Sequence, residues 1–226
     1  MARIHMTEAD HEKVSRAVAA AEARTAGEIV TIVTRQSDSY RDVALIWAAF
    51  VAFLALVALE LAPDFYLGLV DRALGLWASE WTPRAVFGLA LTVAILKFAG
   101  MLLLQLWQPL RLFLVPKPVK AARTHARALT AFRIGAERRT KGRTGILLYL
   151  SLAEHRAEIL ADEAIASKVG PEVWGDAMAA MLDHIRDGRL ADGMVAAIEI
   201  VGTVLAEHFP RDEDDTNELP DRLIEL

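Results

Sequence analysis

Two apolar runs in the middle of the chain, Val43 to Ala62 and Ala85 to Trp107, limit its possible folds more than any other feature of the 226 residues. Each is about 20 residues long or slightly more, enough at about 1.5 Å per residue to cross roughly 30 Å of hydrocarbon. Two crossings bring the chain back to the side it left. Residues 1–42 and 108–210 are therefore expected to pack as one soluble domain, split by a hairpin (43–107) whose spans 43–62 and 85–107 are joined by loop 63–84.

About 160 residues remain for the soluble part, enough for a core without covalent or metal staples. The chain has no cysteine, which excludes disulfides, thiolate metal sites and cysteine nucleophiles and fits a reducing compartment. Met1 to Asp42 is charged and helix-patterned, without the apolar core of a secretory signal. The hairpin is therefore the topogenic element.

Orientation follows from charge. Pro109 to Gly145 carries ten Lys or Arg against one acid, Glu137, whereas the loop Pro63 to Arg84 holds Asp64, Asp71 and Glu80 against Arg72 and Arg84. The positive-inside rule then predicts an integral inner-membrane protein with two spans, its termini and soluble domain cytoplasmic. Ile146 to Leu226 reverses the balance, with 18 acids and six bases. The basic segment suits anionic headgroups, at about 1 kcal/mol per well-placed cation. Aromatics are nearly absent among its arginines, so nucleic acid is not an expected partner.

Along the chain, Thr7 to Ala23 reads as an amphipathic helix with Thr7 as N-cap and Asp10 three residues on. Glu28 to Thr34 has the β-branched content of a buried strand. Phe65, Leu67, Leu69, Val70, Leu74, Leu76 and Trp77 suggest a short helix on the outer surface, with the rings of Trp77 and Trp81 at the interface. Pro116 and Pro118 break the emerging helix, and Val119 to Arg139 is helical and basic. Thr144 to Leu152 and Ala157 to Leu160 read as an antiparallel hairpin. Asp162 to Lys168 is a short helix. Pro171 to Gly188 and Asp192 to Phe209 carry apolar stripes expected to cover the sheet, and 211–226 reads as an acidic tail.

Four stretches then bear on family. They are Ala21-Glu22-Ala23-Arg24-Thr25-Ala26-Gly27-Glu28-Ile29-Val30, Thr144-Gly145-Ile146-Leu147-Leu148-Tyr149-Leu150-Ser151-Leu152, Arg156-Ala157-Glu158-Ile159-Leu160-Ala161-Asp162 and His208-Phe209-Pro210. In this order they resemble the TPM domain family, which has thylakoid, photosystem-associated and MOLO-type members. Asp214-Asp215-Thr216-Asn217-Glu218-Leu219-Pro220 resembles the ending of a bacterial membrane-bound branch. The resemblance implies an α/β fold: a small central mixed sheet sandwiched by helices, here interrupted by the transmembrane hairpin. Some members have been described as acid phosphatases or divalent-cation binders, and others as assisting assembly or repair of membrane complexes.

The candidate residues each carry two readings. Asp162, at the end of a strand and the start of a helix beside Glu163, can hold a cation or cap the helix. A Ca²⁺ or Mg²⁺ site needs several converging oxygens, for which Asp162, Glu163, Glu28 and Glu158 are the contributors, although Glu158 is expected to point to solvent. Glu28 can equally fix its turn by pairing with Arg24 or with an arginine of the basic helix. Arg156 beside His155 can recognise a phosphate or simply sit in a solvated turn. Lys117, Lys120, Arg123 and Arg127 are candidates for phosphate or lipid contact. The Asp212 to Asp215 run reads as a solvated tail.

Lys97, within the second span, can pair with Glu60, line a path, face a neighbouring chain or snorkel. Transport has little further support, since two helices per chain form a pathway only by oligomerisation. No phosphate-binding glycine loop, Gly-x-Ser-x-Gly turn or Asp-x-Asp pair is present. The expectation is a membrane-tethered interaction, scaffold or assembly module, with lipid and a membrane-protein partner or second copy as its contacts. The rival reading is a divalent-metal-dependent phosphatase built around Asp162.

Overall fold

The computed structural model describes residues 6–75, 80–135, 144–211 and 222–226. The described chain forms two units, 1–38 with 118–226 and 39–117.

The first unit is built on four strands, β1 (Glu28–Thr34), β2 (Gly145–Ser151), β3 (Arg156–Ala161) and β4 (Ile224–Glu225), in the order β3-β2-β1-β4. β1 and β2 run parallel from Glu28↔Gly145 to Thr34↔Ser151, and β3 returns antiparallel to β2. A parallel pair requires a crossover connection. Here that connection holds both the apolar hairpin and helix α6 (Lys117–Gly135), which explains how one strand can precede the hairpin and its neighbour follow it.

Every residue of β1 and β2 is buried, because helices cover both faces of the sheet. One face presents Ile29, Val33, Ile146, Leu148 and Leu150 to α1 (Glu8–Glu22), α8 (Pro171–Arg186) and α9 (Leu190–His208). The other presents Val30, Ile32, Leu147 and Tyr149 to Ala128 and Phe132 of α6. Thr7 closes a capping box on α1: its Oγ1 accepts the Asp10 N–H at 3.2 Å, and Asp10 Oδ2 accepts the Thr7 N–H at 2.9 Å. α9 approaches its neighbours closely through glycine. A Cβ on Gly202 would lie 2.6 Å from Ala21 Cβ of α1, and one on Gly193 would lie 2.6 Å from the Met181 carbonyl of α8.

β4 is not expected from the sequence. Its two residues pair parallel to β1 at Ile32↔Ile224 and Val33↔Glu225, and the Leu226 N–H donates to the Val33 carbonyl at 3.0 Å. The end of the presumed acidic tail is thus part of the sheet. Asp212 to Asp215 and Asn217 to Pro220 lie outside the described residues, as do Trp77 and the basic residues 138–143.

The second unit holds α2 (Arg41–Leu61), α3 (Pro63–Leu74), α4 (Pro83–Leu104) and α5 (Gln108–Leu114). α2 and α4 are both long and apolar enough to cross a membrane. They pack antiparallel: Gln105, just past α4, donates through Nε2 to the carbonyl of Ala44 in the first turn of α2 at 3.0 Å. Ala44, Ala48 and Ala52 of α2 are buried at four-residue spacing, small enough for the helices to approach closely. The outward sides carry Ile46, Phe50, Phe53, Phe87, Leu91 and Leu96, all more than half exposed.

The sequence reading runs the second span to Trp107, but α4 stops at Leu104 and α5 is a separate helix. α3 forms within the expected loop helix, and Trp81 Nε1 donates to Asp71 Oδ2 at 3.3 Å. Lys97 and Glu60 are exposed, and among the described residues neither has an ion-pair partner. The antiparallel register places Glu60 by the start of α4, many residues from the level of Lys97.

Candidate functional site

Polar side chains gather at the two ends of the β1–β2 pair. At the amino end, Glu28 and Asp162 flank Gly145. Glu28 is its ladder partner in β1, and Asp162 directly follows β3; both are 6 % exposed. The Gly145 N–H donates to Asp162 Oδ2 at 2.9 Å, and the Asp162 N–H donates to the Gly145 carbonyl at 3.0 Å. The helix-cap reading is therefore corrected. Asp162 occupies the N-cap position of α7 (Glu163–Ala166), but its carboxylate makes no cap hydrogen bond there. It is drawn instead to the first N–H of β2.

Glu163 is exposed on the first turn of α7. Glu158 does not point freely into solvent. It faces α6, where His125 Nδ1 lies 3.3 Å from its Oε2 and its side chain is only 22 % exposed. Glu22 Oε1 accepts the Ile29 N–H at 2.7 Å, fixing the entry to β1. Among the described residues no three His, Asp or Glu side chains group as metal ligands. One Asp162 oxygen is already committed to Gly145. A cation at this end would take few protein oxygens and much water, a pattern that suits Mg²⁺ better than the six to eight oxygens of Ca²⁺.

The carboxyl end holds a denser cluster that the sequence reading misses. Ser37 Oγ donates to Ser151 Oγ at 2.8 Å, and Ser151 Oγ donates to Glu154 Oε2. Because the Ser37 proton is used in this way, the Tyr149 hydroxyl, 3.1 Å from Ser37 Oγ, is the donor of that contact. The Ser37 N–H closes the circuit on Glu154 Oε1 at 3.0 Å. Tyr149, Ser151 and Glu154 are all buried. Burial drives the Tyr149 phenol above its ordinary pKa of 10.0, with the Ser37 hydrogen bond and the nearby Arg127 charge pulling the other way. The turn between β2 and β3 that supplies Glu154 passes through His155 in the left-handed region, φ 51°.

Of the basic candidates, Arg123, Arg127 and Arg156 lie near this end. Thr124, Ala128 and Phe132 form the buried stripe of α6, and Lys120, Arg123 and Arg127 occupy the flank beside it. Arg123 Nη1 lies 3.2 Å from Asp38 Oδ1. Arg127 and Lys117 are exposed, and Lys120 is half-buried. Arg156 begins β3 opposite Ser151. The hydroxyl cluster has one weak sequence signature: Ser151 is the polar final residue of an otherwise apolar strand. The cluster draws together residues up to 117 positions apart, a separation no local pattern encodes.

This architecture can be set beside known proteins. The family model of the TPM domain matches residues 115–204. Among solved structures, the BA42 protein of the psychrophilic bacterium Bizionia argentinensis superposes with a TM-score of 0.57 at 17% identity, over 100% of this chain and 99% of that one. At that identity the likeness concerns the fold. No curated protein matches.

Proposed function

We propose that this chain, which carries a TPM domain, is a two-span membrane protein that holds the domain at the bilayer as an interaction or assembly module. The observation carrying this reading is the pair of helices α2 and α4, of 21 and 22 residues, with apolar outer faces left uncovered by protein. Contiguous apolar surface of this extent is rare on a water-soluble protein and calls for lipid or a partner. The basic flank of α6 supports a membrane-adjacent placement of the domain, its termini on the basic side. The acidic Ile146–Leu226 half supplies a surface for a protein partner. A photo-crosslinker at Arg127 or at Glu172 in native membranes tests the module reading. Reproducible capture of one membrane protein is expected, and a domain that crosslinks to none contradicts it.

The second reading is cation binding, with phosphate-ester hydrolysis as its chemistry. It draws on the two buried carboxylates beside Gly145. Saturable Mg²⁺ or Ca²⁺ binding by calorimetry that is lost in Asp162→Asn, with the domain still folded, would favour it. Absence of binding at millimolar metal would remove it.

A further inference from the structure

We propose that α5 is an interfacial helix seated in the leaflet on the side of the chain termini, where Arg111 binds the phosphate of an anionic phospholipid. The proposal rests on the membrane reading of α2 and α4.

The placement comes from two hydrogen bonds within the hairpin unit. Gln105 Nε2 donates to the Ala44 carbonyl at 3.0 Å, and Trp47 Nε1 donates to the Leu114 carbonyl at 3.0 Å. Residues 105–114 are therefore tied at both ends to the first two turns of α2. α5, about 10 Å long by its rise, runs beside the mouth of the span instead of leaving it. The same segment exposes Leu106 by 76%, Trp107 by 67% and Phe113 by 82%. Apolar and aromatic side chains at that depth suit the boundary between headgroups and acyl chains.

Arg111 supplies the chemistry. It is half-buried and makes no hydrogen bond or ion pair with any described residue. Its Nε is shielded and unpartnered, whereas the terminal guanidinium nitrogens are not enclosed. A guanidinium held against an apolar surface without an acceptor is costly. α5 itself contains no acid to relieve it. A lipid phosphodiester at the mouth of the span offers two oxygens to the guanidinium fork.

The cysteine-free chain permits clean single labels. The full-length protein is placed in phosphatidylcholine nanodiscs with and without phosphatidylglycerol, carrying a nitroxide at Phe113→Cys or at Phe53→Cys. The Phe53 label is expected deep, and the Phe113 label about 5–10 Å below the headgroups. Arg111→Gln is expected to lower the retention of phosphatidylglycerol over phosphatidylcholine, read by native mass spectrometry, by about fivefold. Arg111→Lys should keep part of it. A water-accessible Phe113 label beside a deep Phe53 label overturns the proposal and leaves the hairpin intact, whereas a water-accessible Phe53 label overturns the membrane reading itself. Unchanged lipid preference in Arg111→Gln, or release of the lipid by inorganic phosphate, also overturns it.

Discussion

Asp162 and Gly145 clasp each other. The Gly145 N–H donates to the Asp162 carboxylate at 2.9 Å, and the Gly145 carbonyl accepts the Asp162 N–H at 3.0 Å. The pair extends the β2–β3 ladder by one residue, at the point where the crossover from the hairpin re-enters the sheet. Asp162→Ala should leave that N–H without its acceptor and cost about 1–3 kcal/mol. Asp162→Asn keeps an acceptor oxygen and should cost less. Denaturant unfolding in detergent measures both. Equal losses would show that the charge, not the acceptor, is needed, and would strengthen the cation reading.

The Ser37–Ser151–Glu154 chain makes a second demand on stability. Ser151→Ala removes both the donor to Glu154 and the acceptor of Ser37 within a buried cluster, so a loss of about 1–3 kcal/mol is expected. Ser37→Ala removes a partly exposed member and should cost less. A Ser151→Ala protein as stable as the parent would mean that water replaces the hydroxyl freely.

Tyr149 predicts behaviour at high pH. Its phenol is raised in the folded protein, chiefly by burial, so its contribution to stability is complete below the unfolded value near pH 10. That contribution is lost as pH rises through the higher folded value. Ultraviolet titration of the phenolate should show a late-ionising tyrosine that disappears in Tyr149→Phe. If all the tyrosines ionised together at the ordinary value, Tyr149 would not be enclosed as described.

Asp10 predicts behaviour at low pH. Its carboxyl lies below the ordinary 3.8, chiefly because it accepts the Thr7 N–H, with the Thr7 hydroxyl adding to this. Its stabilising effect on α1 is therefore present above the unfolded value and lost as pH falls through the lower folded one. Amide exchange in the first turn of α1 should accelerate over that acid range, and Thr7→Ala should weaken both the protection and its pH dependence. Identical acid profiles in the two proteins would contradict the capping box as the cause.

What the sequence shows, and what it hides, follows from how local each feature is. The Thr7–Asp10 cap and the strands from Glu28 and Gly145 are readable because neighbouring residues encode them. α5 is hidden because Leu110, Leu112, Phe113 and Leu114 prolong the apolar run of the span, and only Gln105 and Pro109 hint at a break. β4 is hidden because its two residues gain meaning only beside Ile32 and Val33. The Asp162 carboxylate looks like a helix cap in sequence, since its true partner, the Gly145 N–H, is seventeen residues away. Glu158 alternates outward from the sheet as expected, but α6 stands where solvent was supposed.

The most direct test of the central claim is labelling of single cysteines by a membrane-impermeant maleimide in intact cells, with Asp64→Cys on α3 and Ala126→Cys on α6. Both positions are exposed in the protein. A hairpin crossing twice with its domain on the basic side predicts that Asp64→Cys reacts in intact cells and Ala126→Cys only after permeabilisation. If both sites reacted from the same side, α2 and α4 would not carry the chain across a membrane and back.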